Sequence, residues 1–277
     1  MSHPFLLLIA KICLSAGMVI TITLVAERLS TRFAGVLLGF PLGAGLTFFF
    51  TGIEQGPLFA AESAPWSIQG LSATLIFCLL YNLSGKMVKR DSALSLLIPT
   101  FYGLSGFFGT AYFLQYVIQD QLWLRITFVT FVFVGVAVFF RLTPSPGISH
   151  KVPTTALILT SRALFAAVII IIITAMAKTV GSRWSGIFAA FPTTVLPTVW
   201  ILHYHYGAKT ISALFREIPL GMLAIVVFSC SVYFTFPRFG VYCGILISYI
   251  VATLYLLFYE LVLRRPLDNL LSRLSRC

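Results

Sequence analysis

Apolar residues in this chain gather in long unbroken runs rather than in alternating or narrow amphipathic stripes. A helix that crosses a bilayer needs roughly 20 mostly apolar residues. About nine such stretches can be marked: 5–26, 33–53, 66–84, 93–117, 122–140, 154–177, 184–202, 218–236 and 239–263. The pattern predicts an all-α, polytopic transmembrane helical protein whose partner is the lipid bilayer.

Composition sharpens this reading. Of 277 residues, 59% are hydrophobic and 10% charged, with a mean hydropathy of +0.98. A soluble domain is roughly 45–50% apolar and about a quarter charged, so a soluble fold would leave much apolar surface in water. The net charge of +11 raises the question of nucleic acid. Its basic residues, however, sit in short loops between the apolar runs, as the positive-inside rule requires, and nucleic-acid binding is not expected.

The same loops set the orientation. With the N-terminus outside, the cytoplasmic loops hold Arg28, Arg32, Lys86, Lys89, Arg90, Arg141, Lys151, Lys209, Arg216, Arg264, Arg265, Arg273 and Arg276. The outer loops hold only Arg125, Lys178, Arg183 and Arg238. The expected location is the bacterial inner membrane, N-terminus outside and C-terminus cytoplasmic. The first apolar stretch carries Lys11 and lacks a basic leader and a cleavage site, so it should remain as the first span.

Sliding the chain against itself by 151 residues aligns 32–56 with 183–207 without a gap. Arg32 meets Arg183, Gly35 meets Gly186, Phe40-Pro41 meets Phe191-Pro192, Thr47 meets Thr198 and Gly56 meets Gly207. The register extends upstream to Lys11 with Arg162 and downstream to Phe77 with Phe228. Chance resemblance explains matches of Leu, Ala or Val, but not Arg, Pro and Gly in one register. The expected organisation is a first repeat over 1–118, a linker span and loop over 119–153, and a second repeat over 154–277. Because five spans precede the second copy, the halves should be inverted, a pattern of secondary transporters.

The run of Arg32, Ala34, Gly35, Phe40, Pro41 and Gly56 resembles the small, roughly four-span GlpM-like membrane proteins. The second half departs at Ser185, which replaces the Ala, and by adding Pro197. The resemblance implies a fused version of a protein that otherwise pairs as an antiparallel dimer, and it implies no substrate or chemistry.

Pro41 and Pro192 fall near the middle of spans 2 and 7, where proline removes a helix hydrogen bond and clashes with the preceding turn. Both spans should break there. The freed backbone needs polar or small neighbours, which Gly43, Gly45 and Thr47 supply in one copy and Thr193, Thr194 and Thr198 in the other. Paired broken spans in inverted halves point to a substrate site at the midplane. The plainer alternative is that these residues only let helices pack.

Lys11 and Arg162 lie about 9 and about 12 Å into spans 1 and 6 at the rise of an α-helix. Two such cations without a carboxylate inside a span favour an anionic ligand; snorkelling to an interface is the alternative. Arg32 and Arg183, just before spans 2 and 7, are candidates for gating or attracting an anion, with interfacial anchoring as the blander role. Only Glu260 among the acidic residues falls well inside a span, so a buried carboxylate proton relay is not expected.

His203 and His205 are two residues apart and point away from one another on a helix, so no metal site is expected. Cys13, Cys78, Cys230 and Cys243 lie in apolar runs and Cys277 ends the chain, which outlines no disulfide framework. Phosphate-binding, hydrolase and dinucleotide motifs are missing. The sequence therefore predicts no enzyme and no cofactor. It predicts a secondary transporter or flippase-like carrier of a small or lipid-linked anionic solute by alternating access, the alternative being a non-transporting scaffold for envelope or polysaccharide assembly. Homo-oligomerisation stays open.

Overall fold

The computed structural model describes residues 3–28, 40–88, 94–117, 122–143 and 156–263. The described residues are 94% helix, with no strand among them. In chain order they form α1 (His3–Arg28), α2 (Leu42–Gln55), α3 (Pro57–Gly85), α4 (Leu94–Val117), α5 (Leu122–Leu142), α6 (Ala156–Ala189), α7 (Val195–Tyr206) and α8 (Ala208–Phe258), followed by a π turn at Tyr259–Leu263.

Among the described residues, three stretches are long and apolar enough to cross a membrane: Pro57–Gly85, Leu159–Ala189 and Gly221–Phe258. Their most apolar windows are 72%, 39% and 33% buried, which makes α3 the central helix. It packs against α2, α4, α5, α6 and α8. Around it Phe77, Tyr81, Phe107, Phe140 and Phe215 form the largest core cluster. A second cluster joins Phe48 of α2 to Phe228 and Phe236 of α8, and a third joins Leu46 and Phe50 of α2 to Ile170 of α6.

Outward faces are apolar as well. Phe101 on α4, Phe131 on α5 and Leu246 on α8 are exposed. An apolar exterior of this extent is compatible with a membrane protein, since lipid rather than water would satisfy it.

Four glycines, Gly56, Gly181, Gly207 and Gly240, combine φ between 71 and 98° with an extended ψ. That region is essentially closed to residues with a Cβ. At each the chain turns between two helical segments. At Gly240 it folds back on itself: Thr235 Oγ1 lies 3.2 Å from Ser248 Oγ, whereas 13 residues of continuous helix would separate them by about 20 Å. α8 is thus a pair of antiparallel arms, 208–239 and 241–258.

Candidate functional site: two helix breaks in contact

Proline has no N–H and removes a rung of the helical ladder; Pro65, Pro99, Pro219 and Pro237 nevertheless lie inside helices, whereas Pro41 and Pro192 lie outside them, and the local bonds there are the same in both places. Leu42 N–H donates to Phe40 O at 2.7 Å and Thr193 N–H to Phe191 O at 2.7 Å. These are three-residue turns centred on the prolines. Pro41, at φ −74° and ψ 50°, has the inverse γ conformation. Helix then resumes with Gly45 N–H donating to Pro41 O at 2.8 Å and Leu196 N–H to Pro192 O at 2.9 Å. At the far ends of the resumed helices, Gly56 N–H donates to Gly52 O at 3.1 Å and Gly207 N–H to His203 O at 2.9 Å. Each bond near Pro41 recurs 151 residues later near Pro192.

The two breaks touch. The Thr193 hydroxyl occupies the place where a Cβ on Gly43 would stand, so only glycine lets the second break press on the first. Between them lies a cleft of about 30 Å³ lined by Pro41, Gly43, Thr74, Pro192, Thr193 and Thr194, with Leu71, Met222 and Ile225 as apolar walls. That volume suits about two waters. Helices α2 and α7 both begin here, and neither N-terminus has a side-chain cap. Unpaired backbone N–H groups and the positive ends of two helix dipoles therefore converge on one cleft.

Neighbouring helices supply side-chain donors to one carbonyl at each break. Thr74 Oγ1 donates to Ala190 O at 2.6 Å, and Tyr249 Oη lies 3.4 Å from Pro41 O as donor. The phenol of Tyr249 also fills the space above Gly45, which faces α8 rather than the cleft. Thr198 folds its hydroxyl back onto Thr194 O at 2.8 Å, and Thr47 is buried on α2 with no protein partner for its hydroxyl. Of the residues expected from sequence, Pro41, Gly43, Pro192, Thr193 and Thr194 line the cleft, whereas Gly45, Thr47 and Thr198 stand behind it.

The cationic expectations fare differently. Lys11 is 5% exposed, but its ammonium lies 2.6 Å from Glu54 Oε1 and donates to Thr174 Oγ1 at 2.6 Å. The premise that Lys11 lacks a carboxylate partner is corrected: Glu54 belongs to the last turn of α2 and reaches back to α1. Nor does Lys11 line the cleft. Arg183 is exposed, with its guanidinium 4.9 Å from the centre of the Trp66 ring. Arg32 and the side chain of Arg162 lie outside the described residues. His203 is buried with Nδ1 3.0 Å from Tyr81 Oη, and His205 is exposed, so the two imidazoles occupy different surroundings.

Sequence reasoning missed Thr74, Tyr249 and Glu54. The first two sit in apolar runs without a local signature. Glu54 did carry a signal, since the end of one span and the start of its antiparallel neighbour lie at the same depth. No known protein family, curated protein or solved structure matches the chain.

Proposed function

We propose that the chain is a multi-pass inner-membrane carrier of about nine spans, N-terminus outside and C-terminus cytoplasmic, in which two inverted halves move a small or lipid-linked anion by alternating access. The observation that carries this reading is the contact between the two breaks. Matching hydrogen bonds 151 residues apart support an internal repeat, and the intervening odd number of apolar runs supports its inversion. The resemblance of each half to GlpM-like proteins agrees with this architecture and adds no substrate.

The preference for an anion now rests on different groups. Two uncapped helix N-termini with the Thr193 hydroxyl between them favour negative charge, while the charge of Lys11 is already met by Glu54. A cleft with room for about two waters corresponds to an occluded form, which must widen on one side to admit a solute. The same small volume favours the second reading, a non-transporting scaffold whose breaks only pack.

Uptake by proteoliposomes holding the full chain, offered acetate, citrate and inorganic phosphate, separates the two. The carrier should accumulate at least one of these, and Thr193→Val should cut that uptake about tenfold, the loss of one hydrogen bond to a charged ligand. Uptake no greater than in empty liposomes for every anion leaves the scaffold. Inversion has its own test, with all native cysteines replaced: single cysteines at Glu62 and Ala213, equivalent positions in the two halves, should label from opposite sides of the membrane. Labelling from one side refutes it.

A further inference from the structure

The cleft between the two breaks offers more hydrogen-bond donors than acceptors. Among the described residues, the N–H groups of Ala44, Thr194 and Val195 find no backbone acceptor, and neither helix start is capped by a side chain. Thr193 is 4% exposed, its hydroxyl rather than its methyl faces Gly43, and no group among the described residues bonds to that hydroxyl. The carbonyls on the facing side are mostly taken: Ile187 O by Ala190 N–H, Phe188 O by Phe191 N–H, Phe191 O by Thr193 N–H and Ala190 O by the Thr74 hydroxyl. A ligand that fits must bring acceptor atoms.

Charge limits which acceptors fit. Among the described residues that line the cleft, none is charged. Each helix N-terminus acts as about half a positive charge, so α2 and α7 together offset about one negative charge. The last turn of α6 ends at Ala189 on the same cleft, and its carbonyl end acts in the opposite sense. A second negative charge on the ligand would be buried without compensation.

Size and polarity narrow the class again. Two waters take up about 60 Å³ of liquid, which is room for a carboxylate on one or two further carbons and too little for a tricarboxylate or a phosphorylated lipid headgroup. Leu71, Met222 and Ile225 form apolar walls. An aliphatic chain gains by covering them, whereas a small inorganic ion gives up its hydration and covers little.

We propose that the cleft binds a short-chain monocarboxylate, with its oxygens on the two helix starts and the Thr193 hydroxyl and its chain against Leu71, Met222 and Ile225. This narrows the anion of the carrier reading to a single charge and excludes a lipid-linked phosphate. As a transported solute the monocarboxylate rests on that reading; as a bound ligand it does not.

Saturation-transfer NMR of the full chain in lipid nanodiscs at about pH 7, where carboxylates are ionised, tests the ligand directly. Irradiating aromatic protons, which the lipids lack, reports solutes held near Phe40 and Phe191 in the cleft. Acetate, propionate, succinate and citrate are offered in turn, with chloride, nitrate and inorganic phosphate as competitors. Acetate and propionate should receive saturation, while succinate, citrate and phosphate should bind at least about tenfold more weakly for their extra charge. Thr193→Val should weaken propionate about tenfold and Thr193→Ser should restore it. Met222→Ala, which deepens the apolar end, should move the preference from propionate towards pentanoate, a shift that general damage to the fold would not produce. Succinate, citrate or phosphate binding as tightly as propionate overturns the proposal, as does displacement of propionate by equal chloride or nitrate. An unchanged signal in Thr193→Val together with an unchanged preference in Met222→Ala places the ligand elsewhere and overturns it too. In proteoliposomes, accumulation of citrate or phosphate alone keeps the carrier and strikes the monocarboxylate. Propionate that binds but enters no faster than into empty liposomes keeps the ligand and strikes the carrier.

Discussion

At Pro41 the turn after the break carries Gly43 and Gly45 and receives side chains from elsewhere, whereas at Pro192 the matching turn carries Thr194 and Leu196 and Thr193 presses outward. The local hydrogen bonds are the same at both. The difference teaches that two breaks with the same local backbone need not be filled alike: the residues after each proline decide which break is filled from outside and which does the filling, and a Phe-Pro step alone does not make a break, since Phe236-Pro237 lies inside a helix. Partners follow suit: Thr74 serves the second break, and its equivalent beside the first, Ile225, has no hydroxyl to offer.

The largest effect should come from making the first break resemble the second. Gly45→Leu sets a side chain against the Tyr249 phenol and Phe228, and should cost at least about 3 kcal/mol by overpacking. Leu196→Ala, at the matching place, should cost about 3 kcal/mol by the opposite route, a cavity. Thermal unfolding in detergent, followed by loss of the monodisperse peak, reads both. A wild-type midpoint for Gly45→Leu would show that the first break receives nothing there.

The charged pair tests the asymmetry further out, since the positions 151 residues on are Arg162 and His205, with no carboxylate between them. Lys11→Met should cost about 3 kcal/mol by leaving Glu54 without its cation. Adding Glu54→Gln should recover most of that loss, because contacting residues are not additive. Equal destabilisation in the single and the double variant would mean that the ion pair is not what holds α1 to α2.

Thr74→Val should cost about 2 kcal/mol, since the carbonyl of Ala190, off the helical ladder, loses its 2.6 Å donor. Ile225→Val, the counterpart, removes only a methylene and should cost about 1 kcal/mol. Smallest of all is Tyr249→Phe, at about 0.5 kcal/mol: its 3.4 Å bond is long, and Pro41 O already accepts from Gly45 N–H. Should Tyr249→Phe cost as much as Thr74→Val, the first break depends on its phenol as the second does on Thr74, and the contrast between them fails.

Much of this was readable along the chain because its causes are local. Apolar runs make helices, proline withholds one N–H from the ladder, although only some prolines end a helix here, and a helix–glycine–helix turn such as Gly56 needs a residue without a Cβ. Pro41, Gly43, Pro192, Thr193 and Thr194 could be named from sequence for that reason. Which atoms meet across the bundle was decided only by tertiary structure. Lys11 and Glu54 are 43 residues apart, Gly43 and Thr193 are 150 apart, and Thr74 finds Ala190 across 116. No periodicity encodes those distances. A buried cation needs a counter-charge and a freed carbonyl needs a donor, but the chain states only the need, and the packing of α1, α3 and α8 around α2 and α7 selects which residue meets it.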